Sequence, residues 1–175
     1  MKNIIEPSFI YGKKFKIGYC CFIERDVVVG DNVKIGNFVE LREGTRIGNN
    51  SFIDSGVISS GNNYIGNNVT IRFNSIIARA VVIGDGTFVS PGVITTYSKH
   101  TGEKASKTII GQNVFIGAGV VIGPGVTIVD NIIIGAGACV VKDCDVPGIY
   151  VGTPAKLMKQ KTNLDAERLI NGQIV

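Results

Sequence analysis

Hydrophobic positions along this chain recur every sixth residue. Ile5, Tyr11, Ile17, Ile23, Val29, Ile35, Leu41, Ile47, Ile53, Ser59, Ile65, Ile71, Ile77, Ile83 and Val89 hold the first place of successive sixes, and all but Tyr11 and Ser59 are aliphatic. The beat resumes at Ile110, Ile116, Ile122, Ile128, Ile134 and Val140. The fifth place carries small or β-branched residues such as Val27, Val33, Val39, Thr45, Ser51, Val57 and Val69. An amphipathic helix returns its apolar face every three or four residues and a strand every two, so a period of six fits neither. It predicts a β-solenoid, in which short flat strands joined by tight turns bury their inward side chains coil upon coil. Glycine in the second place is expected to supply the backbone freedom of a repeated corner.

The tetrapeptides IGNN, IGDG, IGAG and IGPG sharpen the pattern. With them the chain resembles the hexapeptide-repeat acyltransferases over most of its length. The resemblance implies a left-handed parallel β-helix of triangular section with three sixes per coil and about seven coils, spanning residues 1–160. It also implies a homotrimer with active sites between subunits and acetyl-CoA or another acyl-CoA as co-substrate. One stretch, TTYSKHTGEKASKTI at 95–109, leaves the pattern as a loop excursion and holds His100, the one histidine of the chain. From Thr162 the segment TNLDAERLIN, stopped by Gly172, reads as a short helix. It makes 161–175 a C-terminal cap over the last coil, whose open end would expose unpaired backbone.

Composition narrows the function classes. A chain of 175 residues is expected to be one domain. The net charge of +4 and pI near 8.9 suit phosphorylated ligands. No basic cluster interleaved with aromatics argues for nucleic acid. The apolar run 116–141 is not expected to span a membrane, because its hydropathy follows the six-residue beat and Gly123, Pro124 and Gly125 interrupt any helix. The N-terminus, MKNIIEPSFIYGKK, has no long apolar core or cleavage site, so a cytoplasmic location is expected. Cys21 and Cys144 fall where the core wants small apolar residues, and a single histidine gives no metal ligand set, so no metal is expected.

With three sixes per coil, second-place residues stack in three columns. One is pure turn: Gly12, Gly30, Gly48, Gly66, Gly84. Another reads Glu6, Glu24, Arg42, Ser60, Ala78, and the third Gly18, Gly36, Asp54, Arg72, Ser90. The third is expected to run into the loop of His100, making His100 and Ser90 the catalytic candidates. Asp54, Arg72, Asn74, Arg79, Glu24 and Arg42 are substrate-binding candidates, with donors suited to a sugar or phosphate. A surface ion pair is the plain alternative for Asp54 and Arg72.

The family resemblance places the pantetheine arm of coenzyme A along the small-residue corners at Gly117, Ala118 and Ala136. It places the adenine and phosphates near the terminal GTPAK motif through Pro154, Ala155 and Lys156, with Lys142 as a further phosphate partner. A nearly all-solenoid chain looks most like the nucleotide-sugar amino-group N-acyltransferases, and VSPGVITTYSKH is similar to those acting on dTDP-linked 4-amino-4,6-dideoxy sugars. In such an enzyme the amine attacks the thioester directly, and a backbone N–H near Ser90 or Gly117 stabilises the oxyanion. A sugar O-acetyltransferase, a xenobiotic acetyltransferase and a non-enzymatic β-solenoid are the other readings.

Overall fold

The computed structural model describes residues 2–98 and 107–160. Two-residue strands follow one another at the six-residue spacing and assemble into three parallel sheets. The sheets are the faces of a triangular prism, a left-handed parallel β-helix of about eight turns. The first face begins with Ile4–Ile5, the second with Ile10–Tyr11 and the third with Lys16–Ile17. Each strand pairs with its counterpart one coil on, as in Ile58 with Ile76 and Lys34 with Phe52. The Glu24 column forms the edge between first and second faces, the glycine column the next edge, and the Asp54 column the edge between third and first faces.

The first residue of each six points inward. Ile23, Ile53, Ile71, Ile77, Ile83, Ile116 and Ile134 are fully buried and stack on one another through the shaft of the prism. The fifth residue also points inward, and its hydroxyl-bearing members have a second task. Ser51 Oγ donates to the carbonyl of Gly66 at 3.0 Å and accepts the N–H of Val69 at 3.1 Å. Thr87 does the same with Gly111 and Val114, at 2.8 and 3.1 Å. These hydroxyls satisfy corner backbone groups that the sheets leave unpaired, which is why a core can carry them.

The corners show that the second-place glycines have a different cause from the one expected. Gly12, Gly30, Gly48, Gly66 and Gly84 do not adopt positive φ; the left-handed residue is the fourth of the six, as in Asn32 (φ 56), Asn50 (φ 57) and Asn68 (φ 55). On this edge the second place is held to glycine because the next corner sits on it. A Cβ at Gly30 or Gly66 would run into the side-chain oxygen of Asn49 or Asp85. Those oxygens form a ladder up the edge. Asp31 Oδ1 accepts Lys13 N–H at 2.6 Å, Asn49 accepts Asp31 at 2.7 Å, Asn67 accepts Asn49 at 2.8 Å and Asp85 accepts Asn67 at 2.8 Å.

At the break the coil spacing widens. Hydrogen bonds that elsewhere join residues 18 apart join residues 27 apart between Thr87 and Val114. The solenoid continues in register, with Ile94 on Val121 and Val82 on Ile109. At the far end Gly148–Val151 joins the third face, and Lys156–Gln160 turns back antiparallel against it. The expected helical cap at 161–175 lies outside the described residues. None of the described residues forms a helix long and apolar enough to cross a membrane.

Removing one rung of the ladder tests its share of stability. Asn67→Ala leaves the Asn49 N–H without its acceptor and should cost about 1 kcal/mol in urea unfolding, whereas Asn67→Asp, which keeps the acceptor oxygen, should cost less.

Candidate functional site

The excursion does not continue the Asp54 column. Thr95 ends a strand of the first face and Ile109 begins one of the second, so the chain leaves and re-enters the solenoid at the Glu24 edge, above Ala78. The Asp54 edge runs on past Ser90 to Gly117 and Gly135 instead, and the first face separates the two edges. His100 lies outside the described residues. The sequence candidates therefore divide. Asp54, Arg72, Asn74, Ser90, Gly117, Ala118, Ala136, Pro154 and Ala155 follow the Asp54 edge, whereas Glu24, Arg42, Arg79 and Lys142 follow the edge of the excursion. Lys142 and Lys156 are not brought together: Lys156 opens the strand that closes the third face, across the prism from Lys142.

On the Asp54 edge, Asp54 Oδ2 lies 3.1 Å from Arg72 Nε, and Asp54 Oδ1 accepts the N–H of Ser55 at 2.7 Å. The Arg72 side chain remains 40% exposed, so its terminal nitrogens are open to a ligand while Nε faces Asp54. Its guanidinium carbon lies 5.9 Å from the centre of the Phe73 ring. Asn74 holds the left-handed fourth place (φ 59), the same turn role as Asn50 and Asn68, and that role accounts for its presence.

Of the backbone donors near Ser90 and Gly117, the region expected to meet an oxyanion, those of Ser90 and Gly117 themselves are engaged. Ser90 N–H donates to Ile116 at 2.9 Å and Gly117 N–H to Ile134 at 2.8 Å. A different pair is free. In the lower coils a side-chain oxygen of the next corner accepts the third-place N–H, as Asn37 does for Tyr19 and Ser55 for Asn37. Above Ser90 the third place is Ala118 and then Ala136, which have no such oxygen, so the N–H of Ala118 has no acceptor among the described residues, and neither has that of Ala136. Both alanines are exposed. Cβ atoms built on the neighbouring Gly119 and Gly137 would meet nothing within 4 Å, so the space beside these donors is open.

The other edge is neutralised internally. Arg42 pairs with Glu24 at 3.2 Å and Glu40 at 2.9 Å, and Arg25 with Glu43 at 3.0 Å. Glu24 Oε2 also accepts the N–H of Glu43 at 2.9 Å. Exposed pairs of this kind contribute about 0–1 kcal/mol each, and they leave these side chains largely committed to one another. Arg79 is exposed on the same edge.

The buried cysteines are not nucleophiles. Burial raises the Cys144 thiol to about 11 and raises that of Cys21 as well. Among the described residues no group of three His, Cys, Asp or Glu could hold a metal ion. The open N–H groups fall where the small residues of the two IGAG corners lead the sequence reader to expect accessible backbone: the Asn or Asp that follows glycine in the ladder corners is replaced there by alanine.

Comparison with known proteins adds two family matches. Residues 4–110 match the GMPPB C-terminal domain, and residues 107–142 match the bacterial transferase hexapeptide (six repeats). The bifunctional protein GlmU of Blochmanniella pennsylvanica (strain BPEN) is 31% identical over 160 residues, 80% of this chain and 33% of the relative. That of Geotalea uraniireducens (strain Rf4) is 30% identical over 168 residues, 90% of this chain and 34% of the relative. The chain thus spans about a third of the length of these curated relatives. Among solved structures, LpxA from Acinetobacter baumannii shares the fold with a TM-score of 0.69 at 21% identity, over 97% of this chain and 76% of that one. A variant of AntD, an N-acyltransferase from Bacillus cereus in complex with dTDP and coenzyme A, has a TM-score of 0.60 at 20% identity, over 95% and 91%.

The stacking beside this open space leaves no room at Gly117. A Cβ there would lie 2.5 Å from Ala136 N, so Gly117→Ala should destabilise the protein by about 1–3 kcal/mol in urea unfolding.

Proposed function

The chain belongs to the GMPPB C-terminal domain family and carries bacterial transferase hexapeptide repeats over residues 107–142, and from that premise we propose that it is an acyltransferase that moves an acetyl or similar acyl group from coenzyme A to the amino group of a nucleotide-linked amino-deoxy sugar. The observation that carries the proposal is the single line of groups along the Asp54 edge. Asp54 and Arg72 come first, then Ser90, then the free N–H groups of Ala118 and Ala136. Successive coils are about 4.8 Å apart, so a thin, amide-bearing arm such as pantetheine, laid along the edge, can meet Ala136 N–H with an amide and reach Ala118 N–H with its thioester. The turn of Gly152, Thr153, Pro154 and Ala155 continues that line towards the coenzyme's nucleotide end.

The acceptor is bound lower on the same edge. Arg72 presents its terminal nitrogens to phosphate, and the side chain of Asp54 holds it in place. Fold neighbours support a nucleotide-sugar acceptor by what they are described as: an N-acyltransferase complexed with dTDP and coenzyme A, and a UDP-N-acetylglucosamine O-acyltransferase from Moraxella catarrhalis. The amine attacks the thioester carbonyl, the C–N bond forms as the C–S bond breaks, and the coenzyme leaves as its thiol after taking a proton. Holding both substrates on one rigid edge is the first source of acceleration. With the N–H groups of Ser90 and Gly117 committed to the ladder, Ala118 N–H is the donor assigned to the developing oxyanion.

We assign the amine proton to His100, delivered by the excursion of a neighbouring subunit in a homotrimer. Apolar residues flank the Asp54 edge on both faces, the exposed Ile76, Ile94 and Val121 on the first and, on the third, the exposed ring of Phe115 stacked on half-buried Phe88. Neighbours packed on those faces would enclose the edge in a cleft and bring an adjacent Glu24 edge, with its excursion, alongside it.

Acetyl-CoA should raise the melting temperature of the protein, by mass action equivalent to about 2.7 kcal/mol at a hundredfold excess over Kd. Ala136→Trp, which fills the open space, should abolish that rise with little change in the melting temperature of the free protein; absence of a shift in the unaltered protein would overturn the proposal. In steady-state assays with acetyl-CoA and a panel of dTDP- and UDP-linked 3- and 4-amino sugars, His100→Ala should lower kcat about 10²-fold or more. Near-normal turnover would remove His100 from proton transfer.

A further inference from the structure

Every coil needs a left-handed residue at the fourth place of its corners, and the chain usually supplies Asn, Asp or Gly, as in Asp26, Gly44, Asn62, Asn68 and Gly86. Lys14, Cys20 and Ala80 also depart from this, and Phe38, held at φ 57, is the one aromatic among the described left-handed residues. A side chain of that size is disfavoured there, because its Cβ crowds the backbone. Packing does not compensate, since Phe38 is 62% exposed. Glycine or asparagine would make the corner at less cost, so a reason outside the fold is needed for an aromatic ring.

The position supplies one. Phe38 sits on the Asp54 edge, two coils below Arg72, and its N–H donates to the carbonyl of Tyr19 at 2.9 Å. Tyr19, one corner lower, is 73% exposed. Among the described residues neither ring stacks on another ring. The corner above Phe38 is small, Ser55 followed by Gly56, and the next carries Phe73, 43% exposed, beside Arg72.

We propose that Phe38, with Tyr19, is the stacking platform for the base of the nucleotide-linked acceptor. The inference rests on the acceptor reading given above and extends it to the nucleotide end. Going up the edge, aromatic rings at Tyr19 and Phe38 are followed by the guanidinium of Arg72 and then by Ser90 next to the free Ala118 N–H. That is the order of parts in a nucleotide sugar approaching a thioester: base, diphosphate, sugar. Aromatic stacking tolerates any base because every base has a π-face, so the platform takes thymine or uracil alike and leaves discrimination to other groups.

The test uses Phe38→Gly and Phe38→Asn, both suited to φ 57, in the full-length protein, with dTDP, UDP and acetyl-CoA as separate probes. Either variant should melt at or above the temperature of the unaltered protein. Each should bind dTDP and UDP roughly tenfold or more weakly, by titration and by KM for the nucleotide sugar, while the acetyl-CoA shift persists. If the unaltered protein binds acetyl-CoA and neither nucleotide, the acceptor reading itself fails. If it binds nucleotide and both variants bind it equally well, the platform alone is overturned. A loss of oligomeric mass in the variants, measured by light scattering, with nucleotide affinity intact, would reassign Phe38 to a subunit contact and likewise overturn the proposal.

Discussion

The parallel backbone ladder that repeats at each coil sets the terms for every other feature of this protein. Because each strand bonds to its counterpart one coil away, equivalent residues stand on one another at about 4.8 Å, and any side chain must be compatible with the one directly above and below. The shaft meets this demand with stacked isoleucines and valines. The glycine edge meets it with side-chain oxygens that bond the backbone of the preceding corner, and those oxygens occupy the space a second-place Cβ would need.

The same constraint creates the candidate site. Where the third place of a corner carries Asn, Asp or Ser, it completes the backbone bonding of the coil beneath it. Where it carries alanine, as at Ala136, the Ala118 N–H beneath it is left open. The open space beside Ala118 and Ala136 is therefore the regular structure with one set of hydrogen bonds withheld, on a scaffold too closely packed to close over it. Rigidity places these donors, and the repeat places Arg72 and Ser90 in line with them.

Much of this was legible along the chain. The six-residue beat predicts the solenoid, the inward residues and the silent glycine edge, and the structure has all three. The structure has about eight turns, against the seven expected, because the last strands continue the third face. The cause assigned to the glycines was wrong: they answer to close approach between coils, and the left-handed turn falls two places later. The expectation that the excursion caps the Asp54 column treated nearness along the chain as nearness in space. Ser90 and Thr96 are one strand apart in sequence, yet they occupy different edges of the prism.

Sequence by itself determined the period, the identity of the buried positions and the residues available at each corner, because a repeat that must stack writes its spacing into every coil. Only the tertiary structure decided which edge bears the excursion and which exposed ring sits in a left-handed turn. Those depend on what lies one coil away, and a residue one coil away is a neighbour through the hydrogen-bond ladder rather than through the chain.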